Sequence, residues 1–238
     1  MTSSSDWRRF TQVLLGACLV AAPLFFLVGG VVQSPVYDGD DFARYLASIA
    51  DHETAYYAGG MLMTIGAFLL VGVVIALVHL IRVRHPRFAM AAGALGLLGA
   101  IGIAGGLMAS TIVEFQMAGS GNRAAMAALL SSGEDATSSI PFFVVWIGIA
   151  VAMLMLAGGL VWSKTVPMWM AACVAIGMIS VFFVSGDIPG LIASAVFLLG
   201  LASIGVAVIR SPLEEWEAGD LTHHAPTPTP QAPIAAAP

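Results

Sequence analysis

Ionisable side chains suited to acid–base chemistry occur where the apolar segments of this sequence begin or end. His52 precedes the second apolar segment, Glu114 follows the third, and Asp187 precedes the last. If folding brings such groups together, burial and mutual repulsion favour the protonated form of one carboxyl group beside an apolar cavity. A proton donor there could protonate an alkene or activate a lipid head group. We therefore take Glu114, Asp187 and His52 as candidate catalytic residues, with Asp51 and Glu53 beside them.

A solvated helix end explains most of these residues without any function. Asp51, Glu53 and Asp187 stand near predicted helix starts, where the helix macrodipole favours a negative charge. Glu114 differs, because it stands at the carboxyl end of an apolar helix, where a negative charge is disfavoured. Glu114 is therefore the strongest candidate for the acid, with His52 or Asp187 in support.

Metal and cofactor motifs are weak or missing in the sequence. Residues 51–53, Asp-His-Glu, offer three ligand types, but adjacent residues on a helix point about 100° apart, so at most two could share an ion. The sequence contains no phosphate-binding glycine loop, no nucleophile elbow and no paired-histidine zinc motif. It predicts neither a metal nor a cofactor.

The elements that must position these residues are membrane-spanning helices. Of the 238 residues, 59% are hydrophobic and 10% are charged, whereas about a quarter are charged in an ordinary soluble domain. Six apolar runs reach the length of roughly 20 residues that a spanning helix needs. They occupy 11–33, 56–81, 88–113, 140–163, 166–185 and 189–209. The predicted fold is an all-α transmembrane bundle with six spans.

The distribution of Lys and Arg predicts the orientation of the bundle. Seven of the nine fall on one side if the chain crosses six times, and this excess is expected on the cytoplasmic side. Those seven are Arg8, Arg9, Arg82, Arg84, Arg87, Lys164 and Arg210. We thus expect both termini in the cytoplasm: residues 1–10 as a cytoplasmic segment, 11–210 as the membrane domain, and 211–238 as a disordered tail. The acidic outer loops make nucleic acid an unsuitable partner.

Glycine recurs every third residue in the third span, at 93, 96, 99, 102 and 105. Steps of three fall about 60° short of a turn, so these glycines sweep around the helix and leave it thin on most sides. Small residues let neighbouring helices approach closely in lipid, and this span is predicted to be the hub of the bundle.

A short amphipathic helix is predicted in the first outer loop, over residues 41–50. Phe42, Tyr45, Leu46 and Ile49 share one face, and Asp40 is in position to cap the start. We expect this helix to cover the mouth of an outward-facing apolar cavity or groove.

No Asp, Glu, Lys, Arg or His lies near the middle of a predicted span, which disfavours a pump. The sequence combines the outer helix, Ala-Asp-His-Glu at 50–53, Leu-Ile-Arg-Val-Arg-His-Pro-Arg at 80–87 and the glycine-stepped span. In this combination it resembles a broad group of small six-span bacterial membrane proteins classed as a domain of unknown function. The resemblance covers about residues 10–210 and implies a fold but no activity. A fainter similarity, of size and rim acids, is to membrane-bound terpene cyclases, and no motif carries a residue over from them.

Three functions are consistent with the sequence. The leading one is a non-catalytic bundle in the bacterial inner membrane that binds lipid or a partner. The second is an intramembrane enzyme acting on an isoprenoid or lipid, with Glu114 as the acid. The third is a small transporter. The sequence leaves substrate and oligomeric state open.

Overall fold

The protein is a bundle of helices, and the prediction of an all-α membrane fold is confirmed. The computed structural model describes residues 4–37, 39, 41–133, 136–183 and 187–222, and every regular element in this part is an α-helix. The helices are α1 (Ser4–Gln33), α2 (Phe42–Asp51), α3 (Glu53–Arg82), α4 (Pro86–Ala118), α5 (Arg123–Gly133), α6 (Ala136–Ser163), α7 (Met168–Phe183), α8 (Asp187–Arg210) and α9 (Leu213–Ala218).

Each predicted span corresponds to one helix, namely α1, α3, α4, α6, α7 and α8. Five of them are long and apolar enough to cross a membrane. The sixth, α7, has 16 residues and is therefore about 24 Å long, less than the roughly 30 Å of a hydrocarbon core. Large apolar side chains such as Met90, Leu98 and Met168 are more than two-thirds exposed on the outside of the bundle. Such a surface fits contact with lipid, and the protein is a multi-pass membrane protein.

The long helices pack as a chain of neighbours. In order of contact, α8 lies against α7 and α1, α1 against α3, α3 against α4, and α4 against α6, which also contacts α7. The core between them is filled by aliphatic side chains that are fully buried, including Leu19, Leu77, Leu156 and Leu201. We call the end of the bundle where α1 and α4 finish the α2 end, and the opposite one the α9 end.

The stepped glycines of α4 divide between its two neighbours. Those at 93 and 96 lie nearest to valines of α3, whereas those at 99 and 102 lie nearest to α6. A side chain added at Gly105 would meet no atom within 4 Å. The predicted close packing is confirmed for four of the five positions, since glycine there lets α3 and α6 approach from different sides. The prediction that this helix is the hub of the bundle is wrong, because α4 packs mainly against two span helices, α3 and α6, whereas α3 packs against α1, α4 and α6.

Substitution of Gly99 by valine is expected to destabilise the bundle by about 1–3 kcal/mol, because overpacking forces backbones apart. A Cβ at Gly99 would lie 2.9 Å from the backbone N and Cα of Ile149, which cannot move as a flexible side chain can. Thermal unfolding in detergent micelles measures the effect. Gly105→Val, on the same helix in open space, is the matched control. Equal melting temperatures for the two variants would contradict this account of α4.

The amphipathic helix α2 forms as the apolar pattern predicts, with Leu46 and Ile49 fully buried. It packs against α3, α4 and α5 and so covers the α2 end of the bundle. Its cap is Asp41 instead of the predicted Asp40, because the Asp41 side chain accepts a hydrogen bond from the backbone N–H of Arg44 at 3.1 Å. Asp40 itself lies outside the described residues.

The chain beyond α8 differs from the expectation of disorder as far as residue 222. The ring of Trp216 in α9 is 3% exposed and stacks on His79 of α3 with the ring centroids 4.1 Å apart. The backbone N–H of Leu221 donates to the carbonyl of Thr165 at 2.9 Å. These contacts bury the apolar side chains of Trp216 and Leu221, although the acidic residues of the segment suggested disorder. Residues 223–238, for which disorder is also expected, lie outside the described residues.

Candidate functional site

A carboxylate at the α2 end accepts hydrogen bonds from two tyrosines. Glu114, four residues before the end of α4, accepts a hydrogen bond from the hydroxyl of Tyr45 at 2.6 Å and one from the hydroxyl of Tyr56 at 2.5 Å, both on Oε2. Distances of about 2.5–2.7 Å are typical of hydroxyl donors bonded to an ionised carboxylate. An ionised carboxylate has no proton to donate, so this geometry presents Glu114 as an acceptor.

Three neighbouring elements hold this cluster in place. Tyr45 lies on the packed face of α2, and Tyr56, which is 6% exposed, lies in the first turn of α3. Their rings meet edge to face with centroids 6.5 Å apart. The side-chain amide of Gln33, the last residue of α1, donates to the backbone carbonyl of Tyr56 at 3.0 Å. Four helices are thereby joined by a few short contacts, which we call the Glu114 cluster: Gln33, Tyr45, Tyr56 and Glu114.

A cavity of about 580 Å³ lies between the long helices and reaches the Glu114 cluster. Its wall is mostly apolar and draws on all six span helices, with Phe26, Met63, Leu107, Ile149, Met178 and Phe197 among the lining residues. Pro23 of α1 also lines it, where a proline interrupts the helix backbone bonding. An apolar cavity is thus present, as predicted, and Tyr45 of α2 forms part of its wall.

The tyrosines stand between the carboxylate and the cavity. Gln33, Tyr45 and Tyr56 line the cavity, whereas Glu114 is not among the lining residues. The polar end of the cavity therefore consists of hydroxyl and amide groups, and the carboxylate behind them orients the two tyrosine hydroxyls.

The other predicted site residues do not join this cluster in the described part of the chain. Asp51, His52 and Glu53 are exposed, and a ring nitrogen of His52 lies 3.1 Å from the carbonyl of Ser48. Asp187 begins α8, and its side chain lies outside the structural description. The expected meeting of the rim groups is therefore absent for residues 51–53. A catalytic role for Glu114, Asp187 and His52 stays a prediction.

Sequence reasoning did not find Tyr45 and Tyr56 as site residues. It placed Tyr45 in the apolar stripe of α2 and gave Tyr56, the first residue of the second apolar run, no role in a site. Two signals pointed further: a tyrosine on a buried face needs a partner for its hydroxyl, and a carboxylate near a helix carboxyl end needs donors. In this structure the two tyrosine hydroxyls are the donors to Glu114, and Glu114 is the acceptor for both hydroxyls.

A metal ion has no evident place in the described part of the chain. Across the described ranges, no three His, Cys, Asp or Glu side chains are grouped closely enough to hold one.

Comparison with known proteins gives one match. The model of a family described as a domain of unknown function (DUF4386) matches residues 14–213. This range runs from α1 to the start of α9 and includes the Glu114 cluster and the cavity. No curated protein and no solved structure matches the chain.

Proposed function

The chain belongs to the DUF4386 family, whose activity is unknown, and we propose that it binds an amphiphilic lipid in the cavity between its membrane helices without catalysing a reaction on it. The observation that carries this proposal is the cavity itself. Its volume of about 580 Å³ lies within the range of roughly 300–1,000 Å³ that small-molecule sites occupy.

The distribution of polar groups supports an amphiphile over a pure hydrocarbon. The wall along the helices offers aliphatic, aromatic and methionine side chains to an acyl or isoprenoid chain. Hydroxyl and amide groups are concentrated at the Glu114 cluster, where a head group would be held. A ligand with one polar end matches both parts.

Binding is testable through Trp146, which lines the cavity. We expect a brominated long-chain alcohol to quench part of the tryptophan fluorescence of the purified protein in a saturable manner. Trp146→Phe should remove that saturable part. Trp169→Phe, at a half-exposed position of α7 outside the cavity lining, should keep it. Quenching that rises without saturation in all three proteins would overturn the proposal.

An intramembrane enzyme is the second candidate, with Glu114 as the acid and His52 or Asp187 in support. Its acid would have to act through a tyrosine, because Glu114 does not line the cavity and already accepts two hydroxyl bonds. For this reason we place non-catalytic binding first. Conversion of an added isoprenoid by the purified protein, lost in Glu114→Gln, would favour the enzyme. Transport of the same molecule across a vesicle membrane would favour the third candidate, a transporter.

We also propose a location in the bacterial inner membrane with both termini in the cytoplasm, and residues 11–210 as the membrane domain. The support is the excess of Lys and Arg in the segments at the α9 end, seven of nine. Labelling of single cysteines from each side of the membrane tests the orientation, and termini on opposite sides would contradict it.

A further inference from the structure

The two tyrosine hydroxyls beside Glu114 offer hydrogen-bond acceptors to the cavity, because their own hydrogens are already used. A tyrosine hydroxyl has one hydrogen, and those of Tyr45 and Tyr56 go to Glu114. The Gln33 amide donates to the carbonyl of Tyr56, and the Ser34 hydroxyl donates to the carbonyl of Val31 at 2.9 Å. A head group placed against the hydroxyls of Tyr45 and Tyr56 meets oxygen lone pairs, which favours a head group that supplies hydrogens.

The charge at this end is negative and unpaired. In the described ranges no Lys or Arg side chain lies within ion-pair distance of Glu114, and both salt bridges seen there are at the α9 end. The described residues that line the cavity include no Lys, Arg, Asp or Glu. A half-buried carboxylate without a cation is costly in a membrane protein, which makes it a marker of function.

The two basic residues at the α2 end, Arg44 and Arg123, are not among the described residues that line the cavity. The guanidinium of Arg44 lies 4.2 Å from the ring centroid of Tyr37 and lines a second surface pocket with Asp51. Arg123 donates to the carbonyl of Ala118 at 2.8 Å. The positions between helices that the structural description omits hold four acidic residues and no basic one in the sequence. An anionic head group therefore meets no Lys or Arg side chain among the described lining residues, although Arg44 lies behind Tyr37, which does line the cavity.

Aromatic rings complete the case for a cation. Phe26, Tyr45, Tyr56 and Trp146 line the cavity, and the ring of Tyr37, which also lines it, already lies against the Arg44 guanidinium. The negative faces of such rings attract ammonium groups, most strongly where water is excluded. Resting on the proposed function, we infer that the cavity selects an amphiphile whose head group is a protonated amine, with Glu114 as the charge that selects it.

The test is competition against the brominated alcohol bound near Trp146. The competitors are a long-chain primary amine, alcohol and carboxylate of equal chain length, in non-ionic micelles at neutral pH. We expect the amine to displace the probe at a concentration at least about tenfold lower than the carboxylate does, because the negative charge of Glu114 attracts the amine and repels the carboxylate. The alcohol should fall between them.

Two variants assign the preference to Glu114. Glu114→Gln keeps an acceptor for the tyrosines but removes the charge. It should reduce severalfold the gap between the concentrations at which amine and carboxylate displace the probe. Glu53→Gln removes an exposed negative charge at the same end and should leave the gap unchanged. If Glu114→Gln does not fold, the order of the three competitors on the unaltered protein decides.

The outcomes separate the inference from the proposal beneath it. Displacement by amine and carboxylate at equal concentrations, or a gap that Glu114→Gln leaves intact, overturns amine selection while lipid binding stands. A probe that shows no saturable quenching overturns both.

Discussion

Replacement of Glu114 by alanine is expected to lower the free energy of unfolding by about 2–4 kcal/mol, the largest stability change of any single substitution in this cluster. The estimate rests on two hydroxyl bonds to a charged acceptor, each worth about 1.5–3 kcal/mol, reduced because Glu114 and Tyr45 are only half-buried. The alanine variant also leaves the hydroxyl of Tyr56 without its partner at a position that is 6% exposed. Unfolding in detergent, followed by circular dichroism, measures the change.

The design of the controls shows whether the loss comes from the unpaired hydroxyls. Glu114→Gln, which keeps an acceptor oxygen, should lose less than half as much stability, and Glu53→Ala at an exposed position should lose little. In the Glu114→Ala background, adding Tyr45→Phe and Tyr56→Phe should cost much less than it does in the unaltered protein, because the hydroxyls no longer have a partner. Strictly additive losses would contradict the hydrogen-bonded cluster.

Substitution of Gly30 by leucine is expected to weaken binding of the long-chain probe by about tenfold or more. Gly30 lines the cavity, and a Cβ there meets only the Leu191 side chain, at 3.6 Å, which is an ordinary contact. The larger side chain is therefore tolerated by the backbone but occupies the space that the ligand chain needs. Saturable quenching of Trp146 is the measurement.

A second glycine controls for the effect of a leucine on helix stability and on the lipid surface. Gly105→Leu places the same side chain on the exposed face of α4, where no atom lies within 4 Å, and it should bind the probe as the unaltered protein does. Equal affinity for Gly30→Leu and the unaltered protein would mean that the ligand lies outside the cavity.

Hydropathy and periodicity were sufficient to predict the fold, because a chain in lipid must satisfy its backbone hydrogen bonds within long helices. The six apolar runs formed helices, as predicted, and the stripe on α2 buried Leu46 and Ile49 by folding over the bundle. Close packing at Gly93 and Gly99 followed from their lack of side chains. These features depend on neighbouring residues in the sequence, which is why one chain was enough to predict them.

The site depends on distant residues, and there the sequence was insufficient. Glu114 is 69 positions from Tyr45 and 58 from Tyr56, so no local pattern links them. The contact of Trp216 is also with a distant residue, since its ring stacks on His79 of α3. The acidic residues around Trp216 suggested a disordered tail instead. The sequence gives the position of an ionisable group along its helix, whereas the packing of the helices determines which side chain it contacts.

Photo-crosslinking tests the central claim, that a lipid chain occupies the cavity, most directly. A long-chain alcohol carrying a diazirine in its chain would be bound in micelles and irradiated, and labelled peptides would be mapped by mass spectrometry. The account predicts labels at residues that line the cavity, such as Met63, Met153 and Met178, and these labels should be removed by an excess of unmodified competitor. Labels confined to outward-facing residues such as Met90 and Met168, and unaffected by competitor, would contradict it.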